Sequence, residues 1–385
     1  MNFPEMSSAW HVTIHDRLEP LRADWEVIES HGCATVFQSF DWLSVWYDVT
    51  QSYGVADPII ITAKRSVNGP IELILPLCRV RRYGFSLLTF PDLMVSDFAG
   101  PVFMPSAFTA ENSFASFWRE LRKRLPSDDA IQLSKICTDI DSASNPLLSL
   151  PSLKKMPYGL WGLPLEPGTP GASRLVPAAM LASVEKRRAI VRRKFVRSFS
   201  WSDDGVSLSQ AFAELVEMRR LRCERIGRNE ILDDPMWLEF YSRLAERKHA
   251  VLKPIIMCLQ ANGQTIATLF GVGYKGAFHY LLPTFLMQKW SRYTPGFQLL
   301  IDSMETCSAR GYRYFDLTVG DEPYKQQFGA EFRPLYEYFA PLSSRGWLLY
   351  GIWRSKRWLQ RHPALLARIK AALGHRLRSP FRHLS

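Results

Sequence analysis

Residues 294–332, TPGFQLLIDSMETCSARGYRYFDLTVGDEPYKQQFGAEF, decide how this chain of 385 residues reads. Apolar Phe297, Leu300, Ile301, Met304 and Cys307 recur at helical spacing, and Gly311 follows where a residue tolerant of positive φ ends a helix with least strain. The spacing predicts a helix over 297–310. Pro295 and Gly296 before it suit a helix start and leave its first backbone N–H groups uncovered for an anion. Residues 312–319 read as a strand, after which Gly320, Asp321 and Glu322 open a second short helix carrying Tyr324 and Lys325. The order is anion turn, helix, strand, helix.

The length and an apolar content of 47% fit two packed domains. With no 18-residue apolar run and no basic start leading into an apolar signal core, the expected location is cytoplasmic. Six scattered cysteines, without CxxC or Cys/His spacing, read as reduced structural thiols and no metal is expected. The net charge of +11 is concentrated: residues 345–385 hold ten Lys or Arg and no acid, leaving 38 minus 37, or +1, for residues 1–344. That excludes a general basic surface for DNA. In the tail, Trp347, Leu348, Ile352, Trp353 and Trp358 mix with Arg354, Lys356 and Arg357, and Leu365, Leu366, Ile369 and Leu373 recur at helical spacing. Two readings stand: an amphipathic helix lying on an anionic membrane at its inner face, or one packing its apolar stripe on the body.

In the first half, strands are predicted at 10–15, 58–62, 71–75 and 130–134, and helices at 18–30, 39–50 and 111–125. Asn68 and Gly69 form a hairpin turn suited to positive φ. Residues 1–145 are thus one half, 178–344 the second and 345–385 the tail. Between them, 146–177 carries seven prolines and four glycines and reads as an irregular linker. A helix at 178–198 bears seven cations, with a solvated face and a substrate-binding face as its two readings. The second half continues with helices 208–226 and 234–249, strands 252–260, 264–274 and 277–285, the stretch quoted above, and a strand at 335–340. It repeats the first: Pro235-Met236-Trp237-Leu238 follows Phe40-Asp41-Trp42-Leu43, Pro254-Ile255-Ile256 follows Pro58-Ile59-Ile60, and Asn262-Gly263 follows Asn68-Gly69, at offsets of 194 to 196 residues. Gly271, Gly273 and Gly276 spell GxGxxG, but a strand follows and no acid occurs over 251–301, so a hairpin and not a dinucleotide site is expected.

That order resembles the GNAT acyltransferase fold. Residues 292–300 (RYTPGFQLL), 311–317 (GYRYFDL) and 320–329 (GDEPYKQQFG) resemble the CelD-like bacterial subgroup linked to cellulose biosynthesis. Its distant relatives are the Fem-type aminoacyl transferases, built from two GNAT-like halves. The expected class is α+β: two GNAT-like halves, each a mixed, mainly antiparallel sheet flanked by helices, plus a basic helical tail. The resemblance implies acetyl-CoA or another acyl-CoA at Arg292, Tyr293, Thr294, Pro295, Gly296 and Phe297, where backbone N–H groups wrap pyrophosphate. A capped helix without a ligand is the alternative. Tyr324 falls where GNAT enzymes protonate the departing thiolate, or is a core tyrosine. Asp316 and His279 join it as catalytic candidates, His279 as the base, and Asp321, which also suits helix capping, and Lys325 as acceptor-binding ones. Pro283 marks a break in strand pairing. The implied reaction is N-acylation of an amine, a small molecule or glycan precursor such as an amino sugar, with the first half as acceptor wall. The rivals are transfer from aminoacyl-tRNA and a catalytically silent polysaccharide assembly protein at the membrane.

Overall fold

A computed structural model describes residues 10–108, 113–168, 176–203 and 205–360, with residue 362. In chain order the elements are β1 (His11–His15), α1 (Arg22–His31), α2 (Phe40–Ser52), β2 (Ala56–Lys64), β3 (Leu73–Arg82), β4 (Phe85–Thr89), β5 (Val102–Phe103), α3 (Phe114–Arg124), β6 (Ala130–Cys137) and the small pair β7 (Asp139–Ile140) and β8 (Ala143–Ser144). Next come β9 (Lys154–Pro164), α4 (Ala178–Lys194), β10 (Arg197–Ser202), α5 (Gly205–Ile226), α6 (Pro235–Glu246), β11 (Lys253–Ala261), β12 (Gln264–Tyr274) and β13 (Ala277–Phe285). The chain continues through α7 (Pro295–Ala309), β14 (Tyr314–Val319), α8 (Pro323–Gln327), β15 (Glu331–Pro341) and α9 (Ser344–Gln360).

Two compact units result: Met1–Phe40, Thr50–Met156 and Leu335–Ser385 make one, and Asp41–Val49 with Pro157–Pro334 the other. In the first, antiparallel β1, β2, β3 and β4 meet β6 in parallel, Leu87 opposite Ala130, and β6 then pairs antiparallel with β15, Leu335 opposite Cys137. The second unit repeats this order. Antiparallel β10, β11, β12 and β13 meet β14 in parallel, and β14 pairs antiparallel with β9, Tyr314 opposite Pro164. Each unit is therefore completed by a strand that follows the other unit's parallel strand in the chain. The middle of α2 also belongs to the second unit, where Trp42 meets Phe240 at 5.0 Å and Asp41 Oδ2 accepts the N–H groups of Val251 and Leu252 at 2.9 and 3.0 Å.

In the second unit α4 and α7 cover one face of the sheet, Val184, Val191, Leu300 and Met304 packing with Met257, Leu269 and Phe278. On α5 and α6, Phe212 and Tyr241 pack on Phe270. Burying some twenty such side chains, at about 2 kcal/mol each, holds the sheet rigid enough to aim a site. The GxGxxG is indeed a hairpin. Lys275 and Gly276 have φ of 45° and 79°, the pair a tight primed turn needs. Gly271 and Gly273 lie against rings: a Cβ would stand 2.3 Å from Phe278 Cζ and 2.2 Å from the Tyr312 hydroxyl.

Several expectations are corrected. The linker 146–177 holds an 11-residue strand, β9, because its prolines 157 and 164 stand where a strand completes a sheet rather than inside a helix. The helix at 178–198 ends at Lys194, and β10 begins three residues later. Of its cations, Arg188 and Arg197 are neither solvated nor substrate-facing: both pair with Asp302, Arg188 at 2.8 Å. The 335–344 segment leaves the second half to pair with β6. Asn262 and Gly263 adopt positive φ as expected, but Asn68 and Gly69 do not, the loop there being longer. In the tail α9 packs on the first unit, Trp353 stacking on Phe339 at 5.4 Å and Arg357 pairing with Glu337, while Leu365, Leu366, Ile369 and Leu373 lie outside the described residues.

Candidate active site

The site forms where β13 and β14 part. Their parallel pairing covers Ala277–Tyr314, Phe278–Phe315 and His279–Asp316 and then stops, four residues short of Pro283. From there β13 stays with β12, and β14 follows β9 through a register shift between Asp316 and Val319. Thr318 marks the shift. Its φ of 60° is a strained conformation for a β-branched residue, and such strain persists only where neighbours enforce it. Asp316 Oδ1 accepts the Thr318 N–H at 2.8 Å, Thr318 Oγ1 donates to the Tyr280 carbonyl at 3.2 Å, and Lys325 Nζ donates to the carbonyls of Thr318, Val319 and Gly320 at 3.3, 2.9 and 3.2 Å.

Those bonds revise three candidates. Asp316, 1% exposed, also receives His279 Nδ1 on Oδ2 at 3.0 Å, so both oxygens are engaged and it positions the fork. Burial alone would raise its carboxyl, but the His279 bond, the Arg333 charge and the Thr318 N–H together hold it below the ordinary carboxylate range. His279, expected as a base, is 5% exposed and held on that carboxylate. Lys325, expected at the acceptor, is 2% exposed with its ammonium on three carbonyls and, at 3.0 Å, on Glu322; it caps the strand end. Asp321 does not cap α8, whose N-cap is Glu322. It accepts instead the indole N–H of Trp161 at 3.3 Å.

At the open end of the fork stands the start of α7. Thr294, with φ 49°, turns the chain into Pro295. Here the uncovered donors are fewer than expected: the N–H groups of Phe297 and Gln298 both reach the Thr294 carbonyl, at 3.1 and 3.2 Å, and Pro295 has none. Gly296 retains its N–H. Arg292 is exposed and leans over the Tyr293 ring, Tyr293 is buried against Phe195 and Trp290, and Phe297 lies between Tyr324 and Phe328.

Two residues that the sequence did not single out complete the arrangement. Tyr280 stands beside Tyr324, and burial, reinforced by Glu322, raises both phenols well above their usual range, so each holds its proton throughout the neutral range. Arg222, half-buried on α5, lies 4.4 Å over the Phe285 ring, and a Cβ on Gly296 would touch that ring at 3.1 Å. Arg222 has no ion-pair partner among the described residues. Burial and its neighbour Arg219 lower its guanidinium, which is the mark of a cation without a compensating anion. Its signal in the sequence, one of four arginines over 219–225, does not say which of them faces the fork.

Beside the end of β14 a hollow of about 430 Å³ is lined by Trp161, Asp321, Glu322, Pro323, Gln326 and Phe332, with Phe332 edge-on to Trp161 at 5.2 Å. Two carboxylates beside two aromatic rings suit a cationic or sugar-bearing ligand. Among the described residues no group of three His, Cys, Asp or Glu could hold a metal ion.

Residues 185–326 match the family described as acetyltransferase (GNAT) domain. No curated protein sequence matches the chain. Among solved structures, FemX is similar at a TM-score of 0.58 and 12% identity, over 89% of this chain and 99% of that one. The C-terminal domain (DUF2156) of a putative lysylphosphatidylglycerol synthetase from Agrobacterium fabrum is similar at 0.52 and 12%, over 86% and 95%. These two likenesses are of fold. Residues 185–326 thus carry a GNAT acetyltransferase domain, and the class of chemistry it supports is acyl transfer.

Proposed function

We propose that the fork between β13 and β14 takes acyl-CoA, acetyl-CoA first among them, and passes the acyl group to an amine held at the Trp161–Asp321 hollow. The observation that carries this is the parting of the strands at His279 and Asp316, with a tyrosine pair inside it and an uncompensated arginine at its mouth. Arg222 and the Gly296 N–H would hold the pyrophosphate in place of the fuller backbone cradle that Phe297 and Gln298 no longer supply. The amine nitrogen attacks the thioester carbon, the N–C bond forms and the C–S bond breaks. Tyr324 donates its proton to the departing sulfur, Tyr280 passes its own proton on to Tyr324, and the proton that the nitrogen gives up replaces it on Tyr280. A phenol held neutral suits this: it stays a donor until the thiolate develops.

The acceptor class follows from the hollow, whose carboxylates would meet an ammonium and whose rings would meet a sugar face. An amino sugar or another envelope precursor, handled in polysaccharide synthesis as in the CelD-like proteins the chain resembles, fits both. A second reading, aminoacyl transfer from tRNA, is favoured by the reduced N–H cradle at α7 and by the full-length likeness in fold to FemX. Titration calorimetry separates them. Acetyl-CoA should bind one site per chain, and Arg222→Gln and Gly296→Glu should each weaken it by about tenfold or more. Binding of charged tRNA but of no acyl-CoA would replace the first reading by the second.

A further inference from the structure

We propose that the outward face of α9 lies on an anionic lipid bilayer. One side of the helix is committed to the first unit: Tyr350 and Trp353 stack with Phe339, and Arg357 pairs with Glu337 and donates to the Lys155 carbonyl at 2.7 Å. The other side is apolar and, among the described residues, uncovered. Trp347, Leu348, Ile352 and Trp358 are 64, 61, 42 and 53% exposed, although ordinary domains leave such side chains outside singly rather than four on one helix. At about 100° per residue, Trp347 and Trp358 fall on one line three turns apart, Leu348 and Ile352 on the neighbouring line, and only Gly351 and Ser355 stand between them. The face thus carries two tryptophans about 16 Å apart along an axis held flat against the body.

Charge selects the occupant. Residues 345–385 hold ten Lys or Arg and no acid, while the remaining chain is nearly neutral, so the excess sits on the segment that presents the apolar face. A neutral partner protein would leave that charge unanswered; an anionic headgroup layer answers it and takes the indoles at the boundary where they partition best. Each cation that reaches the surface adds roughly fivefold to partitioning. No described helix is long and apolar enough to cross a membrane, which fits a helix lying in the interface.

The test is co-sedimentation of the full chain with vesicles of phosphatidylglycerol and phosphatidylcholine in equal parts, and of phosphatidylcholine alone. Binding to the first, weakened by salt, and little binding to the second is expected. Trp347→Ser with Trp358→Ser, which remove exposed side chains and should leave the melting temperature unchanged, should lower binding by about tenfold or more. The proposal is overturned if the wild-type chain ignores anionic vesicles, if both vesicle types bind it equally, or if the double variant binds as well as the wild type. It is also overturned if the variant merely converts a dimer to a monomer, since a second copy then covers the face.

Discussion

Asp316→Asn separates a carboxylate that shapes the fork from one that does chemistry. In the wild type its two oxygens serve different partners, Thr318 N–H at 2.8 Å and His279 Nδ1 at 3.0 Å, and the side chain is 1% exposed. Asparagine keeps the size and can keep the bond to Thr318, but its amide then turns an N–H toward a ring nitrogen that was donating. One charge-assisted bond is lost and a buried donor is left facing a donor, which together cost about 2 to 4 kcal/mol. Because the folded carboxyl is held below its unfolded value, its contribution is complete above the ordinary carboxylate range and fades as pH falls through the folded value. The variant should therefore be less stable at neutral pH and lose less than the wild type on acidification. Urea unfolding followed by circular dichroism, at about pH 7 and about pH 4, reads both effects. A variant within about 0.5 kcal/mol of wild type at neutral pH, with an unchanged acid dependence, would refute the role given to this pair.

Tyr324→Phe should lower turnover by about tenfold or more with acyl-CoA affinity unchanged, since its hydroxyl is needed only as sulfur departs; equal turnover makes it a core residue. Burial would raise Asp41, but His249 nearby and the N–H groups of Val251 and Leu252 bring it down to about 2, so Asp41→Asn should remove about 2 kcal/mol of stability that the wild type loses between about pH 4 and pH 2. Equal acid midpoints for the two proteins would contradict it. Gly271→Ala places a Cβ 2.4 Å from the His279 carbonyl, which backbone cannot yield, and should cost about 3 kcal/mol or more in thermal or urea unfolding; a neutral result would mean that β12 and β13 are not held in this register.

What was legible in the sequence was local. The helix now seen at Pro295–Ala309, the strand after it and the hairpin turns at Asn262–Gly263 and Lys275–Gly276 follow from spacing and glycine over a few residues. Less legible was anything set by partners far away in the chain. β9 was hidden by its prolines because it is pairing with β14, about 150 residues on, that draws it into a sheet, and likewise β15 completes the first unit across some 200 residues. β10 had a signal: Ser198-Phe199-Ser200-Trp201-Ser202 alternates with period two, masked by the cations before it. In the site, His279 and Asp316 are brought together and Lys325 is turned inward. No one-dimensional pattern marks which arginine of 219–225 meets Phe285, or that Tyr280 rather than His279 meets Tyr324.

The central claim is that the acyl donor occupies the fork between β13 and β14. Hydrogen–deuterium exchange of the full chain, with and without saturating acetyl-CoA, tests it most directly. Protection confined to peptides covering 280–298 and 314–325 is expected; binding that protects neither segment would contradict the claim.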